Sequence, residues 1–167
     1  MKNDNNEVNE RVLVGKPPRV SETETTELIQ PNDANYLGNL LGGRMMHWMD
    51  IAGGVAASRH SNSIVVTAAM DSLVFRHPIK QGELVIFKAK LSWVGNTSME
   101  VIVRAYAENV INGEIILTNE AYFTFVALDR NGRPQKVPPL LPETEQEKKD
   151  FAEGELRRKK RLQERVE

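Results

Sequence analysis

Residues 35–57, NYLGNLLGGRMMHWMDIAGGVAA, form the segment around which the rest of the chain can be organised. The glycine pair Gly42-Gly43 is followed by a largely apolar run, and the pattern predicts a helix over about residues 43–60. Small residues from Ala52 to Ala57 would let that helix approach a sheet closely. Asp50 lies in the middle of the helix, where an ionised carboxylate is costly unless it is paired or used.

The composition of the chain limits the classes of function. The chain has 167 residues, a formal net charge of -1 and no cysteine. These values predict one domain with its own core, without disulfides or thiolate-ligated metals, and a surface not built to attract nucleic acid. The N-terminus lacks the apolar run of a signal peptide, and no window has the length of a membrane helix. We therefore expect a soluble, cytoplasmic protein that binds neither nucleic acid nor membrane.

Apolar runs on both sides of the helix segment predict strands. Their apolar and polar residues alternate, which is typical of strands with one buried face. Asn112-Gly113 lies between the last two runs and predicts a tight hairpin, because both turn positions require positive φ. The expected fold class is α+β, with a continuous antiparallel meander wrapped around one long central helix. The runs are residues 19–28, 63–75, 83–94, 99–107 and 114–128.

The same alternation assigns residues to the two faces of the sheet. In the run 83–94, we expect Trp93 on the apolar inner face together with Leu91. The opposite, outer face carries Ile102, Tyr106 and Tyr122 and is rather apolar for a surface in contact with water. This outer surface predicts further burial, and association of dimers would supply it.

Composition divides the chain into three parts. We predict a flexible leader at residues 1–18, a folded domain at 19–135, and a charged C-terminal helix or tail at 136–167. In the last part acidic residues come early and the basic run Arg157–Arg161 comes late, which matches the helix dipole. A solvated, frayed helix is one interpretation of this part, and a docking helix or nucleic-acid tail is the other.

The start of the helix and the loop before it supply groups suited to catalysis. Gly42 and Gly43 expose backbone N–H groups that have no intrahelical partner and can polarise a carbonyl. Asn35 supplies a donor and an acceptor, and Asp50 supplies a base. Asp50 lies about 10 Å along the axis from Gly43, which is long for one carbonyl carbon to reach both. It would serve its own chain through a water molecule or serve the site of a second chain, unless it is a structural acid.

Three ordered motifs give the chain a resemblance to a known family. Over about residues 20–130 it resembles acyl-CoA thioesterases with the hotdog fold, and most of all the branch of the cytosolic long-chain acyl-CoA hydrolases. The hotdog fold is an antiparallel sheet wrapped around one long central helix. The motifs are Pro31-x-Asp33-x-Asn35-x-x-Gly38-x-x-x-Gly42-Gly43-x-x-Met46-x-x-Met49-Asp50-x-Ala52-Gly53-x-x-Ala56-Ala57, Asp71-x-x-x-Phe75-x-x-Pro78-x-x-x-Gly82-Glu83, and Val94-Gly95-Asn96-Thr97-Ser98-Met99-x-Val101.

The resemblance implies roles for particular residues in the hydrolysis of acyl-CoA to a free fatty acid and CoA. Asn35 and Asp50 would be the catalytic pair, with one residue from each chain of a dimer. Gly43, helped by Gly42, would polarise the thioester carbonyl through backbone N–H groups. Asp50 would act as a general base toward water or as a nucleophile that forms an anhydride.

The resemblance also implies how substrate is held and how the chain assembles. The CoA phosphates would be met by Arg76 and by a turn between the middle strands. No metal or other cofactor is implied, since CoA belongs to the substrate. The chain would form a homo-oligomer, at least a dimer and by expectation a hexamer built as a trimer of dimers. The residues of the turn are Gly95, Asn96, Thr97 and Ser98.

Two other functions are compatible with such a fold. The first is a non-catalytic acyl-CoA-binding or regulatory protein, because a fold does not fix a function. Asn35 and Asp50 together argue against it, since a binder has no need of a carboxylate opposite an amide. The second is a dehydratase, and that branch typically works through a histidine that is absent from the expected loop. The histidines, His47, His60 and His77, have no metal-ligand spacing and are interpreted as structural.

Overall fold

Five strands and two long helices make up the computed structural model, which describes residues 13–71 and 73–164. The element types agree with the predicted α+β pattern, although β1 begins at Thr23 and β2 ends at Asp71, inside the predicted runs 19–28 and 63–75. The tight hairpin predicted at Asn112-Gly113 is wrong: Gly113 has a positive φ of 74° but Asn112 does not, and a longer loop over residues 109–114 joins β4 to β5. Among the described residues, no helix combines the length and the apolar character needed to cross a membrane. The elements are β1 (Thr23–Leu28), α1 (Gly42–Ser61), β2 (Ile64–Asp71), β3 (Leu84–Val94), β4 (Ser98–Glu108), β5 (Ile115–Leu128) and α2 (Glu145–Glu164).

The strands form one antiparallel sheet in the order β1-β3-β4-β5-β2. The predicted meander is correct for β3, β4 and β5 but wrong for β2, which pairs with β5 and not with β3. The physical reason is the path of α1, which contacts all five strands. The chain therefore leaves the helix at the far edge of the sheet, and a long connection returns from β2 to β3. This arrangement leaves β2 at an edge, directly beside α1.

Helix α1 packs on the inner face of the sheet, and its small residues allow the close approach expected from the sequence. A Cβ atom on Gly53 would stand 3.0 Å from the ring of Phe125 and 3.3 Å from Val103. Met45 and Met49 are 2% and 0% exposed and fill the space beside this contact. A larger residue at position 53 would separate helix and sheet and would lose this packing.

The predicted inner face of Trp93 is wrong, and the reason is a β-bulge at Ser92. Leu91 pairs with Val101 and Trp93 pairs with Glu100, so Ser92 has no opposite residue. The extra residue turns Trp93 to the outer face of the sheet. There it lies beneath α2, because a Cβ atom on Gly154 would come within 2.6 Å of the Trp93 side chain.

Helix α2 packs on the outer face of its own sheet, so the interpretation as a solvated, frayed helix is wrong. The Glu100 side chain is fully buried, and it accepts hydrogen bonds from Ser92 and from Arg157 and Arg161 of α2. Arg157 also lies over the ring of Tyr122, with its guanidinium carbon 3.7 Å from the ring centroid. Part of the outer face is therefore covered within one chain.

The predicted leader and the C-terminal segment meet beside the end of α1. Residues 1–12 of the leader lie outside the described residues. Lys16 forms a parallel bridge to Leu140, and its backbone N–H donates to the carbonyl of Pro139 at 2.9 Å. The Lys16 ammonium donates to the carbonyl of His60 at 2.8 Å. In its described part, the segment before β1 is thus bonded to residues beyond the predicted domain boundary at 135.

Candidate active site

Asn35 lies in a tight loop before α1, where its side-chain carbonyl is already occupied. Its Oδ1 atom accepts hydrogen bonds from the backbone N–H groups of Leu37 at 2.9 Å and Asn39 at 3.2 Å. Gly38 completes the turn with a φ of 78°, which favours glycine. Because backbone N–H donors require an oxygen at that position, the Nδ2 group of Asn35 is the part left for a ligand. The Nδ2 group of Asn35 has no hydrogen-bond partner among the described residues.

The first turn of α1 presents free backbone N–H groups. The first bond from this turn joins the N–H of Met45 to the carbonyl of Leu41, and the N-cap Leu41 makes no side-chain capping bond. The N–H groups that precede it have no intrahelical acceptor, and the positive end of the helix dipole adds to their field. Apart from the adjoining residues and the backbone of the helix itself, no described atom lies within 4 Å of the position that a Cβ on Gly43 would take. A carbonyl oxygen can therefore approach the start of the helix.

Arg44, the next residue, is used within the chain. Its guanidinium forms an ion pair with Asp33 at 3.1 Å and lies 5.9 Å from the ring centroid of Trp48. Asp33 in turn accepts from the backbone N–H of Gln30, so the pair fixes the loop against α1. Arg44 thus positions the loop that carries Asn35.

Asp50 lies two turns further along α1 and is half-buried in the single chain. The hydroxyl of Thr67 on β2 donates a hydrogen bond of 2.6 Å to its Oδ1 atom. The other carboxylate oxygen is left for a further donor. Thr67 therefore fixes the Oδ1 atom of Asp50 and leaves the Oδ2 atom free to accept a proton, which suits a general base.

The structure brings some predicted site residues together and separates others. Asn35, Gly42 and Arg76 line one cleft of about 370 Å³ at the start of α1. Phe75 forms part of its wall, with a ring atom 3.2 Å from the position of a Cβ on Gly42. Asp50 is not among the residues that line this cleft. Within one chain, the amide and the carboxylate of the predicted pair therefore do not share a cavity.

The turn over residues 95–98 lies away from the cleft that contains Arg76. Gly95 and Asn96 border a separate cleft next to the C-terminal segment, and Ser98 borders a small cavity under α2. A Cβ atom on Gly95 would come within 2.5 Å of the Trp93 ring, and the carbonyl of Asn96 accepts from the N–H of Val137. In a single chain, this turn is part of the packing between the sheet and the C-terminal segment.

Apolar side chains are exposed around Asp50 and Thr67. Ile51 follows Asp50 on α1, and Val66 precedes Thr67 on β2; they are 47% and 44% exposed. Tyr36, at the tip of the Asn35 loop, is 95% exposed. Because β2 is an edge strand, this surface also offers free backbone groups.

Among the described residues, no group of three or more acidic or histidine side chains is placed to hold a metal ion.

Two residues next to these groups were missed by sequence reasoning. Thr67 lies in an alternating strand, where a threonine on the polar face is ordinary and gives no signal. Asn119 lies within the hydrophobic run of β5 and is 1% exposed, yet it borders the cleft of Asn35 and Arg76. A polar amide inside a buried strand is the signal by which Asn119 could have been found.

Comparisons with known proteins indicate the family of this chain. Residues 37–113 match the Thioesterase superfamily. An uncharacterized acyl-CoA thioester hydrolase of Bacillus subtilis is 41% identical over 127 residues, which cover 76% of this chain and 74% of that protein. The cytosolic acyl coenzyme A thioester hydrolase of Mus musculus is 34% identical over 157 residues, or 92% of this chain. This chain spans only 41% of the mouse protein.

Solved structures are similar over almost the whole chain. The acyl-CoA hydrolase of Staphylococcus aureus in complex with butyryl coenzyme A, coenzyme A and coenzyme A disulfide has a TM-score of 0.84 and 34% identity, and the match covers 90% of this chain and 92% of that chain. Alanine variants of an asparagine, an aspartate and a threonine of that hydrolase have also been solved. An apo-hexameric acyl-CoA thioesterase has a TM-score of 0.87 and 36% identity, with 91% and 97% coverage.

Proposed function

This chain belongs to the thioesterase superfamily, and from that premise we propose that it is an acyl-CoA thioesterase that hydrolyses acyl-CoA to a free fatty acid and CoA. The observation that carries the proposal is the Asp50 carboxylate on α1, one oxygen of which accepts a hydrogen bond from Thr67. The same helix begins with free backbone N–H groups that can donate to a carbonyl oxygen. A base and an oxyanion site are the groups that hydrolysis of a thioester by water requires.

The chemistry follows from these groups. The thioester oxygen is polarised by the N–H groups of Gly42 and Gly43, and Asp50 accepts a proton from a water molecule as its oxygen bonds to the carbonyl carbon. The tetrahedral intermediate carries its negative charge at the helix start, where the dipole stabilises it. Collapse breaks the carbon–sulfur bond, and the CoA thiolate leaves and takes up the proton. The reaction as written needs no metal or redox group.

Asn35 acts in this scheme as a donor. Its Oδ1 atom is held by the loop, so its Nδ2 group is available to a water oxygen or to the thioester oxygen. A donor to the water oxygen would orient the lone pair that attacks, whereas Asp50 removes the proton. The two side chains then act on the same water molecule from opposite sides.

A comparison of chain separations supports three of these assignments. In the Staphylococcus aureus hydrolase, the substituted asparagine and aspartate are separated by 15 residues, and its aspartate and threonine by 17 residues. Asn35, Asp50 and Thr67 have the same separations in this chain. We take them as the equivalent residues.

We further propose that each site combines Asn35 of one chain with Asp50 of a second. Asn35 lies in a cleft that Asp50 does not border, and Asp50 lies beside an open sheet edge and the exposed Ile51. Pairing of two such surfaces around a two-fold axis would bury them and would bring each carboxylate toward the partner's cleft. The similar apo-hexameric thioesterase supports three such dimers as the complete assembly.

The nucleotide part of CoA would be met by Arg76, which borders the cleft of Asn35. The turn over residues 95–98 would reach the same molecule only from another chain, because it borders different cavities. A role inside the cell fits the substrate, and we propose the cytoplasm, as the name of the cytosolic mouse relative suggests.

Hydrolysis of a series of acyl-CoA thioesters, followed by release of free thiol, tests the function. The wild-type chain should release CoA thiol with saturation kinetics, and Asp50→Asn should lose roughly 100-fold or more in kcat with an unchanged fold. Tight binding of acyl-CoA without thiol release would instead identify the chain as a non-catalytic acyl-CoA-binding protein.

A further inference from the structure

We propose that Asn119 binds the pantetheine arm of the substrate, through a hydrogen bond from an amide N–H of that arm to its side-chain oxygen. This inference rests on the proposed function, since it identifies the part of an acyl-CoA that the residue recognises. Asn119 lies on β5 and borders the cleft that Asn35, Gly42 and Arg76 also line.

A β-bulge sets the position of Asn119. Ala105 on β4 pairs with Asn119 and Tyr106 pairs with Leu117, so Thr118 has no opposite residue. The Thr118 hydroxyl donates to the carbonyl of Ala105 at 3.0 Å and fixes the bulge. Bulges often re-aim side chains next to active sites. Here Asn119 shares the inner face of the sheet with Ala105, which is fully buried.

The orientation of the amide is determined by its neighbour. The Nδ2 group donates a hydrogen bond of 2.7 Å to the carbonyl of Val74, and a carbonyl can only be paired with the N–H side of the amide. The Oδ1 atom is buried and has no hydrogen-bond partner among residues 13–71 and 73–164. Such orphaned acceptors are uncommon in folded proteins, because leaving one without a donor is costly. An orphan beside a ligand cleft indicates that a bound molecule supplies the donor.

The chemistry of an acyl-CoA narrows the choice of donor. An unsubstituted acyl chain and its thioester carry no N–H or O–H group, whereas the pantetheine arm carries two amide N–H groups and, further from the sulfur, one hydroxyl group. Contacts connect Asn119 to the end of the cleft where the thioester is polarised: Val74, its partner, precedes Phe75, whose ring touches the position of a Cβ on Gly42. We therefore assign the hydrogen bond to Oδ1 of Asn119 to the amide N–H of the arm that lies nearer the thioester sulfur.

The wall of the cleft can adapt to admit this contact. Val74 and Phe75 are 56% and 54% exposed, so little packing holds them in place. The bonds from Asn119 to the Val74 carbonyl and from the N–H of Arg76 to the Thr118 carbonyl tie this wall to the bulge. Asn119 thus holds the wall through its Nδ2 group and would accept a hydrogen bond from the pantetheine arm at its Oδ1 atom.

The test compares acyl-CoA with an analogue in which the amide N–H nearer the sulfur is replaced by an ester oxygen. The ratio of kcat/KM for the two substrates measures the amide preference. We expect the wild-type ratio to be about tenfold or more, because the analogue leaves Oδ1 unpaired. Asn119→Leu and Asn119→Ala should reduce the ratio toward one. Asn119→Asp, which keeps an acceptor, should retain the preference even where its charge slows turnover.

Thr118→Val is the matched control, since it removes a hydroxyl from the same bulge outside the cleft. It should leave the ratio unchanged even if it lowers the melting temperature. The inference is overturned if the wild type does not prefer the amide, if Asn119→Leu and Asn119→Ala keep the preference, or if Thr118→Val abolishes it equally. Absence of any wild-type hydrolysis of acyl-CoA would refute the proposed function itself.

Discussion

The hydroxyl of Thr67 donates a hydrogen bond of 2.6 Å to Oδ1 of Asp50, and this bond joins the edge strand β2 to the middle of α1. Any movement of β2, including its pairing with a second chain, is therefore transmitted to the carboxylate proposed as the base. The catalytic group and the assembly surface are parts of one local structure.

Replacement of Thr67 tests whether this bond positions the base. Thr67→Val keeps the shape of the side chain but removes the donor, and we expect kcat to fall about tenfold, the value of one hydrogen bond to a charged group. Thr67→Ser retains a hydroxyl and should recover most of the rate. Steady-state kinetics and melting temperatures of both variants are the measurements. Equal rates for the valine variant and the wild type would show that Asp50 does not depend on Thr67.

Asn35→Asp separates the two roles of Asn35. A carboxylate at this position can still accept from the N–H groups of Leu37 and Asn39, so the loop should keep its conformation. It cannot donate, so we expect a loss in kcat of roughly 100-fold, the scale of removing one donor from an oxyanion or water site. Activity close to the wild type would mean that only the loop bonds of Asn35 matter.

Substitution of Arg76 tests the electrostatic part of CoA recognition. Arg76→Ala should raise KM for acyl-CoA about tenfold, because a charged hydrogen bond to phosphate is lost. It should change KM much less for an acyl-pantetheine, which carries no nucleotide phosphate. A similar change for both substrates would identify Arg76 as a structural residue of the cleft wall.

His60 predicts a loss of stability in mild acid. Burial lowers the pKa of His60 below its usual 6.5, the backbone carbonyl of Pro138 opposes this, and Lys16 adds to it. The Nε2 group is bonded to that carbonyl at 2.8 Å, and Nδ1 has no acceptor among the described residues, so protonation would place a second N–H without a partner.

Because the pKa of His60 is lower in the folded state, its stabilising contribution is complete above 6.5 and is lost as the pH falls from 6.5 toward the folded pKa. Melting temperatures measured from about pH 8 to pH 5.5 should therefore decrease below 6.5. His60→Gln keeps a donor for Pro138 and cannot titrate, so its melting temperature should depend less on pH. The same slope in both proteins would assign the acid sensitivity to other groups.

The features of the fold that could be predicted from the sequence are those set by interactions between residues close together in the chain. The start of α1 and the strand runs follow from glycines and from alternation, and both signals lie within a few residues. The position of Trp93 depends on the bulge at Ser92, and the position of β2 depends on the path of α1 across the sheet. Neither has a local signal, because each arises from tertiary packing.

The same distinction applies to the candidate site. Asn35, Gly43 and Asp50 could be named because they surround a helix start and fit a family motif. Thr67 has no local signal and Asn119 has only that of an amide within a hydrophobic run, since each reaches the site through a partner distant in the chain, Asp50 for Thr67 and Val74 for Asn119. The packing of α2 on the sheet could not be predicted from the sequence either. Glu100, which is buried and forms ion pairs with Arg157 and Arg161 of α2, has the position of a surface residue in the alternating pattern of its strand.

Complementation between two inactive variants tests the shared site most directly. Asn35→Asp and Asp50→Asn chains are unfolded, mixed in equal amounts and refolded, and mass measurement verifies that mixed oligomers form. If each site takes Asn35 from one chain and Asp50 from another, half of the random dimers hold one intact site, and thioesterase activity should return to about a quarter of the wild-type value. Mixed oligomers without recovered activity would contradict the account and assign both residues of each site to one chain.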